Sequence, residues 1–152
     1  GLGDPNQAER RFHDIVAIMQ QETIDGQRLI DNPIYRDRLL KLQGQMLAMK
    51  FNGMRVLSDF AKDQEPGLPR WIVKLNGCEL NHQMAGMAID ALGELGVLYD
   101  NSPHLRDEGV WQQRYMLDLG LIIGGGTAQI QKNMIGERAL GLPKEPKQEQ
   151  KG

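Results

Sequence analysis

The residues with the clearest chemical potential are Gly124-Gly125-Gly126-Thr127. Three successive glycines leave their backbone amides unshielded, and Thr127 is placed to cap a short helix beginning at Ala128. Such a turn and helix start attract a phosphate or another anionic ligand, although many helix starts after glycine bind nothing. A second candidate is the pair Cys78 and His82, which lie one helical turn apart and would share a face. Two residues do not make a metal site, and no motif couples Cys78 to His82 as nucleophile and base. The simpler reading is a packed thiol beside a packed or solvent-tipped histidine. His13, His82 and His104 keep no ligand-like spacing, so there is no zinc signature. Arg36-Asp37-Arg38 and Arg106-Asp107-Glu108 read as solvated helix faces.

Helices must position these residues. The apolar period is helical nearly throughout, and aromatic or β-branched runs bounded by turns are missing. This predicts an all-α chain with no sheet: an antiparallel up-down bundle of four main helices plus a short C-terminal helix. Asp4-Pro5 resembles an N-cap followed by proline at the first helical position, with Ala8, Phe12, Ile15, Val16 and Met19 on one face as far as Thr23. Asn32-Pro33 repeats that signal before the stripe Leu39, Leu42, Met46, Met49, Gly53, Val56 and Phe60. Beside it runs a second stripe, Leu40, Leu47 and Met54, wide enough to predict self-association.

Glu65-Pro66-Gly67-Leu68-Pro69 breaks the pattern, and Trp71, Leu75, Leu80, Met84, Met87 and Ala91 define a third helix to Leu92. Gly93 and Gly96 end it, and Trp111, Tyr115, Leu119 and Ile122 mark the fourth. Residues 1–142 would form the bundle, with 143–152 a polar disordered tail. Gly44, Gly53, Gly77 and Gly86 each cost about 1 kcal/mol relative to alanine in a helix, and close helix approach is the expected compensation, ahead of ligand clearance. Of eight methionines, Met46, Met49, Met84, Met87 and Met116 fall on or beside apolar stripes and read as core.

Composition narrows the function classes. With 18 Lys+Arg against 20 Asp+Glu the net charge is -2, without the polycationic surface a nucleic-acid partner requires. One cysteine cannot form an internal disulfide, which fits a reducing, cytoplasmic setting. No apolar run reaches the roughly 18 residues of a membrane span, and Gly1-Leu2-Gly3-Asp4-Pro5 has no basic region followed by an apolar one.

Ile122-Ile123-Gly124-Gly125-Gly126-Thr127-Ala128-Gln129-Ile130-Gln131-Lys132 and its continuation to Gly141-Leu142-Pro143 resemble the C-terminal signature of the flavin-dependent acyl-CoA dehydrogenases. Ala91-Leu92-Gly93-Glu94-Leu95-Gly96 resembles that family's Gln-x-x-Gly-Gly-x-Gly turn more weakly, with Asp90 in place of the Gln and Glu94 in place of the second Gly. The resemblance implies that Thr127, Ala128 and Gln129 lie against FAD, that Gly126 lines the acyl thioester pocket, and that Asp90, Gly93 and Glu94 belong to a turn reaching the FAD of a neighbouring subunit. It also implies an acyl-CoA substrate, an electron-transfer flavoprotein or similar acceptor, and a homodimer or homotetramer, with a heteromer as the variant.

Two departures matter. The family's Phe-Gly-Arg motif, whose Arg binds FAD pyrophosphate, is replaced by Leu29-Ile30-Asp31-Asn32-Pro33, leaving Arg28 or Arg36 as substitutes. Many members place the proton-abstracting glutamate immediately before Gly-Thr, where this chain has Gly125; in other branches it comes from a position that would lie upstream of Gly1. Glu9 is the nearest acid in the chain and a weak candidate. The resemblance therefore implies the C-terminal domain of a longer enzyme, inert by itself. The rivals are a non-catalytic assembly subunit of a heteromeric complex and a helical adaptor unrelated to flavin.

Overall fold

A computed structural model describes residues 4, 6–144 and 146. The order is α1 Gln7–Gln21, β1 Thr23–Ile24, β2 Gln27–Arg28, α2 Pro33–Ala61, α3 Leu68–Leu92, α4 Val110–Ile123 and α5 Ala128–Met134. Helix α2 starts as its sequence dictates: Asn32 Oδ1 accepts from the amides of Ile34 and Tyr35 at 3.0 and 3.3 Å, and Pro33 supplies the preset first φ. Helix α1 starts later than expected. The regular helix begins at Gln7 and Asn6 makes no side-chain cap bond, whereas Asp4 acts as the expected cap, its Oδ1 accepting from the Asn6 amide at 2.9 Å and its carbonyl from the Gln7 amide at 3.1 Å; Pro5 lies outside the described residues.

Side-chain pairs give the helix directions. Arg38 reaches Asp90 at 2.6 Å and Asn52 the Pro69 carbonyl at 2.8 Å, while Arg11 reaches Asp118 at 2.8 Å and Arg114 reaches Asp14 at 3.7 Å, so α2 and α3, and α1 and α4, run antiparallel; Lys50 ties α2 to Glu9 of α1 at 2.7 Å. Lys50 holds the Glu9 carboxyl below the usual carboxylate range. That link contributes above the ordinary Glu value of 4.5 and is lost as pH falls through the lower folded value. Helix α3 is central and packs on α1, α2 and α4. Its Leu80, Met84, Ala85, Met87, Ala88, Ala91 and Leu92 meet Phe12, Ile15 and Met19 of α1, Leu39, Leu42 and Met46 of α2, and Trp111 of α4 in one buried cluster.

The expectation of no sheet is corrected by a minimal hairpin, Thr23 pairing with Arg28 and Ile24 with Gln27. Asp25 and Gly26 both have positive φ, 51° and 78°, the geometry a two-residue hairpin turn demands. The Asp-Gly pair carried that signal, but it lies between strands too short to show alternation. Three stripe residues also differ: Phe60, Leu119 and Met116 are exposed. Phe60 stands at the C-terminal end of α2, while Met116 and Leu119 stand one residue to the side of Tyr115 and Asp118 on the inward face of α4. Close helix approach is not found at Gly44, where an added Cβ would meet nothing within 4 Å, and at Gly86 it would only touch Tyr115 at 3.5 Å. Gly53 and Gly77 line a cavity of about 180 Å³ together with Met49, Val56, Val73 and Leu80. Of the expected disordered tail, only residues 143, 144 and 146 are among those described.

The Asp118 carboxylate is fully buried and Arg11 is its only partner among the described residues, Oδ1 having none. Arg11→Met should therefore cost about 3–5 kcal/mol, because it strands a buried charge. Adding Asp118→Leu should recover most of that loss. Urea unfolding of the two variants checks this, and equal destabilisation of single and double variants would contradict it.

Candidate functional site

The glycine turn is held from two sides. Lys74, projecting from α3, donates through Nζ to the carbonyl oxygens of Ile122 at 3.0 Å and Gly126 at 2.6 Å. The buried Gln131 of α5 donates through Nε2 to the Gly125 carbonyl at 3.0 Å. Gly125 and Gly126 have φ of 70° and 107°, a region that disfavours side chains. The two glycines are not equivalent. A Cβ on Gly126 would sit 2.9 Å from Gln131 Nε2 and 3.4 Å from Ile130, whereas one on Gly125 would meet nothing within 4 Å.

Thr127 is the expected cap: its Oγ1 accepts from the Ile130 amide at 3.4 Å. Helix α5 is only seven residues long before passing into the π-helical turn Ile135–Ala139, so the anion attraction anticipated from its dipole is small. Ala128 is half-buried and Gln129 exposed, with its amide side chain open to a ligand. Arg138 lies over the Trp71 ring at 5.6 Å and fastens the chain beyond α5 to the start of α3.

Cys78 is buried one turn along α3 from Lys74, and burial pushes its thiol above the usual 9.0. A thiol held protonated is a poor nucleophile, which supports the structural reading. His82 stacks on Tyr115 with ring centroids 4.3 Å apart, and its buried Nδ1 has no partner among the described residues. No group of three or more potential metal ligands occurs among the described residues.

The turn after α3 lies elsewhere. Asp90 is paired with Arg38, Gly93 caps α3 with φ 57°, and Glu94 is exposed. Gly96 is required by space, since a Cβ there would come within 2.4 Å of the Ile89 carbonyl oxygen. Lys74 and Asp90 are sixteen residues apart on one helix, about 24 Å at 1.5 Å per residue. The candidate cofactor residues thus fall into two groups, Gly126 to Gln129 and Asp90 to Glu94, that one copy does not bring together. Of the candidate arginines, Arg28 is engaged by Asp31 at 2.8 Å and Arg36 is exposed. Glu9, held by Lys50 below the usual range, is poorly suited to take a proton.

Residues 4–140 match the acyl-CoA dehydrogenase C-terminal domain. The chain belongs to this family. Acyl-CoA dehydrogenase IpdE1 of Mycobacterium tuberculosis is 32% identical over 117 residues, covering 77% of this chain and 29% of that protein. A chain of the ChsE4-ChsE5 complex from the same organism has the same fold with a TM-score of 0.80 at 25% identity, over 95% of this chain and 38% of that one. The FAD complex of PigA shares the fold alone, with a TM-score of 0.73 at 17% identity over 91% of this chain and 34% of that one. The chain spans about three-tenths of the length of the IpdE1 relatives. Among the described residues, no helix is long and apolar enough to cross a membrane.

Lys74 and Gln131 are the side chains that sequence reasoning passed over. The available signal was a lysine set among Trp71, Leu75 and Cys78 on an otherwise apolar stretch of α3. The two glycines predict an ordering of variants. Gly125→Ala should cost about 1–2 kcal/mol, from positive φ alone. Gly126→Ala should cost more, because Gln131 must also move. Chemical denaturation of both variants checks the order, and equal losses would contradict it.

Proposed function

We propose that this domain serves an FAD-dependent α,β-dehydrogenation of an acyl-CoA thioester, with the glycine turn and Thr127, Ala128 and Gln129 set against cofactor and substrate. The observation that carries this reading is the fastened turn: its carbonyls are held inward by Lys74 and Gln131, which leaves an open backbone edge at the position where the family signature puts its ligands. The residues fit one edge of a flavin: Gln129 is exposed, Ala128 is small, and the space beside Gly125 is empty. When bound, FAD supplies hydride acceptance at N5. Gly126 would line the thioester pocket through its backbone, since the space a side chain would need there is taken by Gln131 and Ile130, and Thr127 holds the first turn of α5 beneath it. Asp90, Gly93 and Glu94 would face the cofactor of a second subunit, consistent with their distance from the glycine turn.

The α-proton must leave to a base other than residue 125, and Glu9 is tied to Lys50. The resemblance to branches without a glutamate before Gly-Thr would place the carboxylate outside these 152 residues. Reduced cofactor would be reoxidised by an electron-transfer flavoprotein or similar acceptor. A second reading, a non-catalytic subunit of a heteromeric assembly, is favoured by Gly125 itself and by the likeness to a chain of the ChsE4-ChsE5 complex.

Flavin reduction by a panel of acyl-CoA thioesters, in the FAD-loaded protein carrying this domain, separates the two. The dehydrogenase reading expects reduction by the wild type and none of the roughly 10²- to 10⁴-fold gain of a restored base in Gly125→Glu. No reduction by the wild type together with reduction by Gly125→Glu would give the assembly reading the field.

Self-association is part of the same proposal. Leu40, Leu47, Phe51 and Met54 form an exposed apolar face on α2, and Met116, Leu119 and Ile123 form another on α4. Light scattering should give a dimer or larger species, homomeric or with a related chain. A monomer that persists at high concentration, alone and with candidate partner chains, would count against it.

A further inference from the structure

We propose that Lys74 is a positioning residue for the glycine turn, aiming the Thr127 amide at a carbonyl oxygen of the ligand; this rests on the dehydrogenase reading above. The geometry runs through the peptide planes. Among the described residues there is no cis peptide, and in a trans peptide the N–H points opposite the C=O. Lys74 draws the Gly126 carbonyl toward α3 at 2.6 Å, so the N–H of the same peptide plane, that of Thr127, is turned away from α3. Gln131 of α5 acts on the peptide before it, holding the Gly125 carbonyl at 3.0 Å and turning the Gly126 N–H away from Gln131. Neither of these amides has an acceptor among the described residues.

Without such ties the turn would not keep one shape. Gly125 and Gly126 can each reach either sign of φ at little cost, so the two peptide planes would flip independently. Lys74 also takes the Ile122 carbonyl, an orphan of the last turn of α4. One ammonium thus locks the end of α4 to the start of the ligand-facing edge. A neutral carbonyl suits the amide pair, and two are available in the proposed complex: the acyl thioester and the flavin ring.

The test uses Lys74→Met, which keeps the aliphatic stem and removes the donor, and Lys74→Arg, which keeps a donor. In the chain without ligand, backbone ¹⁵N order parameters across 124–127 should fall from the rigid value of about 0.85 to below about 0.6 in Lys74→Met and recover in Lys74→Arg. In the FAD-loaded protein, kcat/KM should fall about 10²-fold in Lys74→Met, with Lys74→Arg restoring most of it. Weakened FAD binding in Lys74→Met assigns the carbonyl to the flavin; unchanged FAD binding with lost kcat/KM assigns it to the thioester. Unchanged order parameters, or a loss of turnover that Lys74→Arg does not restore, would overturn the proposal. Should Lys74→Met fail to fold, Gln131→Met frees the Gly125 carbonyl and tests the Gly126 amide by the same measurements. A wild type that reduces no flavin defeats the dehydrogenase reading and with it the ligand role of Lys74, while the order parameters still report whether the tether exists.

Discussion

Because α3 packs against α1, α2, α4 and α5 at once, its residues must be small or flexible wherever neighbouring helices cross it. Ala85, Ala88 and Ala91 let backbones come near, and Met84 and Met87 fill the irregular gaps between them. A helix buried on several faces brings its polar residues into the interior too, and each must then find a partner there. Asn52 of α2 answers one such need by donating to the Pro69 carbonyl at 2.8 Å, in the first turn of α3. Lys74 answers another by meeting carbonyls of the α4 end and the glycine turn. Packing of the bundle and shaping of the site are thus consequences of the same burial.

The polar ties also set how firmly each part is held. Arg11 and Asp118 are taken out of water between α1 and α4, so the pair specifies which helices meet more than it adds net stability. The Lys41–Asp37 and Arg28–Asp31 pairs lie at the surface and contribute little. Around the glycine turn the ties are charge-assisted or buried, at a place where the backbone would otherwise be the least constrained in the chain. Order at the ligand-facing edge is therefore imported from α3 and α5, not intrinsic to the turn.

Much of the architecture was legible because its signals are local. Asn32 and Pro33 mark the start of α2 through one side chain and one ring, Gly93 ends α3 through its φ, and Thr127 caps α5 through a bond three residues away. Asp4 belongs with the local signals, since its carboxylate accepts from the Asn6 amide two residues on, as a cap does. The failures share a cause. Phe60 obeys the helical period but lies at the end of α2, and Leu119 and Met116 lie just beside the inward face of α4, whose edge the period alone does not mark. Gly44 was read as a close contact and instead leaves open space, since a missing side chain permits either result.

The sequence by itself determined the helices, their order, the glycine turn and the family signature, all of which depend on residues within a few positions of one another. Only the tertiary structure decided that Gly126 must be glycine while Gly125 has room for a side chain, that Arg28 is already engaged, and that Asp90 to Glu94 stand about 24 Å along α3 from Lys74. It alone showed that Lys74 closes on carbonyls 48 and 52 residues away. A lysine's three donors carry no record of their acceptors, and the acceptors are backbone oxygens that every residue type possesses. Partners of that kind are fixed by where the helices cross.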